Sequence, residues 1–237
     1  MHFSHRSISL RFTAVALGGI AFFCVPSASA QTVEFRVLSW DGPIENLSYD
    51  SEGKSIPLSA AENGLSLPYR FQGGAALELY REEKIDEKIV RVPVARLPLP
   101  ANLTKAILVL ARSGDDKHSY AGMWMDDSFD ARPVNCLKFF NLSHVPVALK
   151  IGTEDIQLAP QESSKLLPFD LKTRSLPLKV AVNSGAGWEV VSSERQTVRE
   201  GLRILVLFHD GHTDSEGNRT LIDFVKLYDY VQPQPRR

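Results

Sequence analysis

Cysteine is nearly absent from this chain: the 237 residues hold two, Cys24 and Cys136. No disulfide framework can therefore staple the fold, and stability has to come from hydrophobic cores. Histidine is also sparse, with six in all, and only His118, His144, His209 and His212 lie beyond residue 30. Charge of one sign is lacking too, since 27 Lys and Arg face 28 Asp and Glu. That balance provides no clustered basic footprint for nucleic acid and no polybasic patch for an anionic lipid surface. Past residue 30 no apolar run approaches the roughly 20 residues of a membrane-spanning helix. The longest, Ala106 to Ala111, is strand-sized.

The one longer apolar stretch stands at the beginning. Arg6 and Arg11 precede the run Phe12 to Val25, and Ala28-Ser29-Ala30 follows as a small-residue exit before Gln31. A positive start, a short apolar centre and an A-x-A exit are the layout of a cleaved signal peptide. The sequence thus predicts an exported protein, periplasmic or secreted, whose mature chain starts near Gln31. Cys24 raises the alternative of a lipidated N-terminus, but Ala21-Phe22-Phe23 lacks the small residues such a site needs, so Ala28-Ser29-Ala30 is the better exit. Cys136 lies in an apolar run with no base beside it and reads as a small core residue rather than a nucleophile.

Elsewhere the hydrophobic period is two. Val33, Phe35 and Val37 alternate with Glu34 and Arg36, and Leu176, Leu178, Val180 and Val182 alternate with Pro177, Lys179 and Ala181. Such alternation builds strands with one apolar face. No window shows the i, i+3, i+4, i+7 pattern of an amphipathic helix. Turn signals recur at short intervals, among them Asp41-Gly42-Pro43, Asn63-Gly64, Asn183-Ser184-Gly185 and Asp210-Gly211. Short strands with frequent turns indicate an all-β sandwich or barrel. The expectation is two consecutive Ig-like antiparallel β-sandwich domains after the signal peptide of residues 1–30. They span 31–112 and 134–230, joined by a polar connection at 113–133 and followed by a disordered tail at 231–237. A single large sandwich is the alternative. Pro93 and Pro98 mark an edge strand, because proline cannot donate to a ladder.

Candidate sites are few. His209, His212 and Asp214 offer imidazole and carboxylate ligands to a transition metal, which would serve a metal-dependent hydrolase. They span a turn between two strong strands, so a solvated hairpin loop is the competing reading. No nucleophile elbow, phosphate-binding glycine loop or dinucleotide fingerprint occurs, and no cofactor is implied. Trp124, with Tyr120 beside it, is the candidate for an exposed aromatic that stacks on a sugar ring. Trp40 and Trp188 read instead as plugs at the ends of sandwich cores. Four N-x-S/T sequons stand at Asn46, Asn102, Asn141 and Asn218.

The segment Leu137-Lys138-Phe139-Phe140-Asn141-Leu142-Ser143, with Val147 to Gly152 and Leu158-Ala159-Pro160, resembles a pattern of exported bacterial tandem β-sandwich proteins. Accessory proteins of exopolysaccharide modification, the alginate acetylation accessory protein among them, are of this type. The resemblance covers the C-terminal half. It implies a periplasmic protein without an active site of its own, and it carries over no functional residue. Where the pattern has glycine after the proline, this chain has Gln161. Together these readings predict a non-catalytic adaptor or binding component of a bacterial envelope or secretion assembly, whose partner is an envelope protein or a polysaccharide.

Overall fold

The computed structural model describes residues 31–113, 119–212 and 220–231. The predicted signal peptide, most of the tail and the candidate ligand Asp214 lie outside the described residues. Among the described residues no helix is long and apolar enough to cross a membrane.

Sixteen strands follow one another: β1 (Gln31–Ser39), β2 (Ile44–Ser51), β3 (Lys54–Ala60), β4 (Tyr69–Gly73), β5 (Ala76–Ile85), β6 (Lys88–Pro98), β7 (Lys105–Arg112), β8 (Tyr120–Asp126), β9 (Cys136–Asn141), β10 (Val147–Ile151), β11 (Glu154–Leu158), β12 (Leu167–Pro168), β13 (Ser175–Asn183), β14 (Trp188–Thr197), β15 (Leu202–Asp210) and β16 (Ile222–Tyr230). They form four sheets of four strands: β4-β1-β7-β8 and β3-β2-β5-β6 in the first half, β12-β9-β15-β16 and β11-β10-β13-β14 in the second. Adding eight to each strand number of the first half gives the second half. The chain is one sandwich written twice.

The repetition extends to single residues. In the first half Ser66 Oγ accepts the Val37 N–H at 2.8 Å and donates to the Leu67 carbonyl at 2.7 Å. In the second, Ser164 Oγ accepts the Phe139 N–H at 3.0 Å and donates to the Lys165 carbonyl at 2.7 Å. The outer hairpins share a bulge at one place, between Leu79 and Tyr80 in β5 and between Val180 and Ala181 in β13. Asn63 and Gln161, each three residues before its serine, both take the left-handed backbone, with φ of 56° and 64°. The missing glycine at Gln161 thus changes the residue and keeps the turn.

The expected all-β sandwich architecture is observed, with one refinement. The sheets are not antiparallel throughout, because β1 runs parallel to β7 and β9 parallel to β15. The first strand of each half leaves for the opposite sheet and the chain returns along it by a long crossover, as a parallel pair requires. The strand partition also differs from the ABED/CFG partition of an immunoglobulin constant domain. Within the segment 113–133, Tyr120–Asp126 is β8, the edge of the first inner sheet.

Each half buries its own core, built around Phe35, Leu79 and Leu108 in the first and Phe139, Val180 and Val206 in the second. A third core lies between the halves. Leu38, Ile107, Val109 and Met125 meet Leu205, Leu207, Val225 and Leu227 there. The central strands β7 and β15 are consequently apolar on both faces, one row for each core.

Beside this third core lies a closed ring of charge. Asp127 follows β8, and Asp229 holds the matching place in β16. Arg36 Nη2 reaches Asp127 Oδ2 at 2.8 Å and Asp229 Oδ2 at 3.1 Å. Arg203 reaches Asp127 Oδ1 at 2.7 Å and Asp229 Oδ2 at 3.2 Å, and it also donates to the Asp127 carbonyl at 2.9 Å. Arg132 adds a third guanidinium to Asp127 at 2.6 Å. The side chains of Arg203 and Asp127 are each 1% exposed. Burial, partly offset by the carboxylates of Asp127 and Asp229 and reinforced by the guanidiniums of Arg203 and Arg36, pulls Arg132 down to about 10.

Removing one partner from a buried ionic group leaves uncompensated charge and costs about 3–5 kcal/mol. Asp127→Ala takes from Arg132 its ionic partner and leaves Arg36 and Arg203 to share Asp229 alone, so it should lose about that much in chemical denaturation, while Asp127→Asn retains hydrogen bonds and should lose less. Equal losses for the two variants would argue that the charge is irrelevant. A second expectation concerns Tyr49, whose phenol is buried in the first core and donates to the Arg70 carbonyl at 3.1 Å. Burial, with Tyr69 beside it, pushes Tyr49 up to about 12 from 10.0. The native state then resists an ionisation that the unfolded chain undergoes. Stability from this group is complete below pH 10 and is lost between 10 and 12. Tyr49→Phe should flatten that alkaline fall in a series of denaturation curves.

Candidate binding surfaces

The predicted ligands His209 and His212 lie at the far end of the junction. There Trp40, Asp41, Glu62 and Asn63 of the first half face His209, His212, Asp223 and Phe224 of the second across a cleft of about 690 Å³. Trp40 follows β1 and His209 ends β15, parallel neighbours of β7 and β9, so the junction brings their rings together. The rings stack at 5.3 Å with 10° between planes. Each imidazole is oriented through Nδ1. His209 Nδ1 donates to the Asp210 carbonyl at 2.9 Å, His212 pairs with Asp223 Oδ2 at 2.6 Å, and His144 pairs with Asp210.

The fold therefore unites His209 and His212 in one cleft, with Asp214 outside the described residues. Among the described residues no three His, Cys, Asp or Glu side chains converge on a common ion. The pairs His144–Asp210 and His212–Asp223 orient rings on an exposed loop, and at the surface each is worth little in stability. The sequence does not announce Trp40 and Asp223 at this cleft, because one follows β1 and the other lies in β16.

The tryptophans are distributed differently from the expectation. Tyr120 is buried in the first core, and Trp124 is half-buried with its ring edge-on to Phe35 at 5.5 Å. The two do not form an exposed stacking face, because β8 turns them toward the core. Trp40 packs beside the third core, between the halves, rather than at the end of a sandwich core. Trp188, expected to be a plug as well, is 46% exposed. It stands on the outer face of β14, opposite Asn183.

β14 is the edge of the second outer sheet, as β6 is of the first. The two edges are defended unequally. β6 carries Pro93 and Pro98 with Lys88, Arg91 and Arg96, the proline and positive charge that discourage strand addition. By register, Val190 occupies the place of Pro93 and Trp188 the place of Arg91. β14 has no proline and no lysine, and Val190 and Val191 are 62% and 40% exposed. Its C-terminal half is tied to β16, through Lys226 to Glu194 and through Tyr228 to Gln196 at 3.2 Å. Its N-terminal half, Trp188 to Ser193, pairs only with β13 among the described residues.

The sequons separate on the same grounds. Asn141 is fully buried, its amide donating to the carbonyls of Val145 and Leu158 at 2.9 and 3.2 Å, so it is no glycan acceptor in the folded protein. Cys136 is partly buried, and desolvation raises its thiol. Comparison of the chain with protein-family models and with curated proteins returns no match.

The exposure pattern predicts the response to an aqueous quencher. Trp188→Phe should remove most of the acrylamide-sensitive emission, and Trp124→Phe should remove emission that acrylamide reaches poorly. An unchanged quenching slope in Trp188→Phe would place Trp188 under a covering segment.

Proposed function

We propose that this protein is an exported, non-catalytic adaptor or binding component of a bacterial envelope or secretion assembly, and that it takes its protein partner along the edge of β14. The observation that carries the reading is the contrast between the two copies of one strand. An unpaired edge offers a row of N–H and C=O groups to an extended segment of another chain. The first copy blunts that edge with Pro93, and the second presents Val190 there. The export signal read at the N-terminus and the resemblance of the second half to exported tandem sandwiches support the compartment.

Carbohydrate binding is the second reading, favoured by the exposed ring of Trp188 on a sandwich face. One experiment separates the two. The tagged mature chain is recovered from lightly cross-linked native cells, and the eluate is examined for proteins and glycans. Val190→Pro gives the second edge the residue of the first and removes one donor. A lost strand hydrogen bond and a blunted edge should lower partner recovery about tenfold at unchanged melting temperature. Recovery of the same protein in the same amount from Val190→Pro sinks the edge assignment. Polysaccharide in place of protein supports the second reading.

A further inference from the structure

The two outer sheets differ in what covers their exposed faces. In the first, Tyr80 points outward from β5 yet is only 7% exposed. Its hydroxyl donates to Asp50 Oδ1 at 2.8 Å and lies 2.7 Å from Ser55 Oγ, and the Arg91 guanidinium sits 4.4 Å above its ring. Tyr80 pairs with Ser48 on β2 and Pro93 on β6, and Asp50 pairs with Ser55. The second half has the same registers with other residues. Ala181 pairs with Ala148 and with Val190, and Lys150 pairs with Asp155. Where the first half places a phenol ring, the second has a methyl group over another methyl group. The space is a groove of about 540 Å³, lined by Ala148, Ala181, Val190, Lys150, Asp155 and Lys179 among others.

We propose that this groove is the binding site for a phenol ring, the tyrosine side chain of a partner protein laid along β14. The inference rests on the adaptor reading and names the group that the adaptor holds. The first half displays such a complex internally: ring over the small residue of β2, hydroxyl between the facing side chains of β2 and β3, and a flat group from the edge strand above. Each element has its counterpart. Ala148 is the floor. The Lys150 ammonium, 3.1 Å from Asp155 Oδ1, and the carboxylate together supply a donor and an acceptor for one hydroxyl. Trp188 takes the register of Arg91, and its exposed indole can cover an incoming ring as an aromatic pair.

The test uses the mature chain labelled with nitrogen-15 and N-acetyl-L-tyrosinamide as the probe, with the phenylalanine analogue and methyl β-glucopyranoside beside it. Saturable shifts of the Ala148, Ala181 and Val190 amides are expected with the tyrosine probe. The phenylalanine analogue, lacking the hydroxyl, should bind about fivefold more weakly. Ala181→Tyr supplies from within the ring that the sister half has, so it should abolish the shifts without lowering the melting temperature. Ala148→Gln, which raises the floor, should also abolish them and keeps the test open if Ala181→Tyr folds poorly. No saturable shift, shifts that survive in both variants, or preferential binding of the glucoside would overturn the proposal. Partner recovery unaffected by Ala181→Tyr would refute the groove while leaving the adaptor reading intact. Tyrosinamide binding with no protein recovered from cells would uphold the groove and refute the adaptor reading.

Discussion

Asp127 is the anion on which the joint between the halves depends. It takes Arg36 from its own half, Arg203 from the other and Arg132 from the loop that follows it. The third core beside it is apolar, and apolar contact alone is non-directional. Two four-stranded faces of Leu, Ile and Val could meet at several angles with similar burial. The ring Arg36–Asp127–Arg203–Asp229 admits one relative placement, since each guanidinium must reach both carboxylates. Buried ion pairs add little net stability over apolar packing, and their best-attested use is to select one arrangement among several. The Nε of Arg203 and one Nη of Arg132 find no hydrogen-bond partner among the described residues, which makes the site intolerant of any further loss.

With that placement fixed, the rest of the surface follows. The inner sheets are covered on both faces, so binding is left to the cleft at the opposite end of the joint and to the two outer sheets. The outer sheets share a bulge and their registers. One has been closed by Tyr80, Arg91 and Pro93. The other keeps Ala181, Trp188 and Val190 at the same places, and the difference between copies singles out residues that neither half alone would mark.

Much of this was legible in the chain. Alternation in Val33-Phe35-Val37 and Leu176-Leu178-Val180-Val182 locates strands and their inward faces, since burial on one side imposes the period directly. Proline at 93 and 98 marks an edge for the same local reason. The third core is written more faintly, in the two apolar rows of Ile204 to Phe208, which signal burial on both faces of one strand. The repetition escaped because few equivalent positions keep the same residue: Phe35 corresponds to Leu137, Tyr80 to Ala181, Asn63 to Gln161. Trp188 was misplaced because an indole beside a strand end looks the same in sequence whether its face is covered or bare. The charge ring and the histidine pairs unite residues from separate strands and loops, and no local pattern announces such meetings.

The bond from Arg36 to Asp229 spans 193 positions and closes on the last described strand. A chain that emerges N-terminus first can complete the first core while its partner half is still absent. During that interval Leu38, Ile107 and Val109 face water as a bare apolar stripe, and the carboxylate of Asp127 lacks Arg203. β16 carries both Asp229 and the Val225 and Leu227 that cover the stripe. Concealment of the adhesive seam therefore waits for β16, the last of the sixteen strands to be made. Damage to β16 would be felt first as stickiness of the half made earlier.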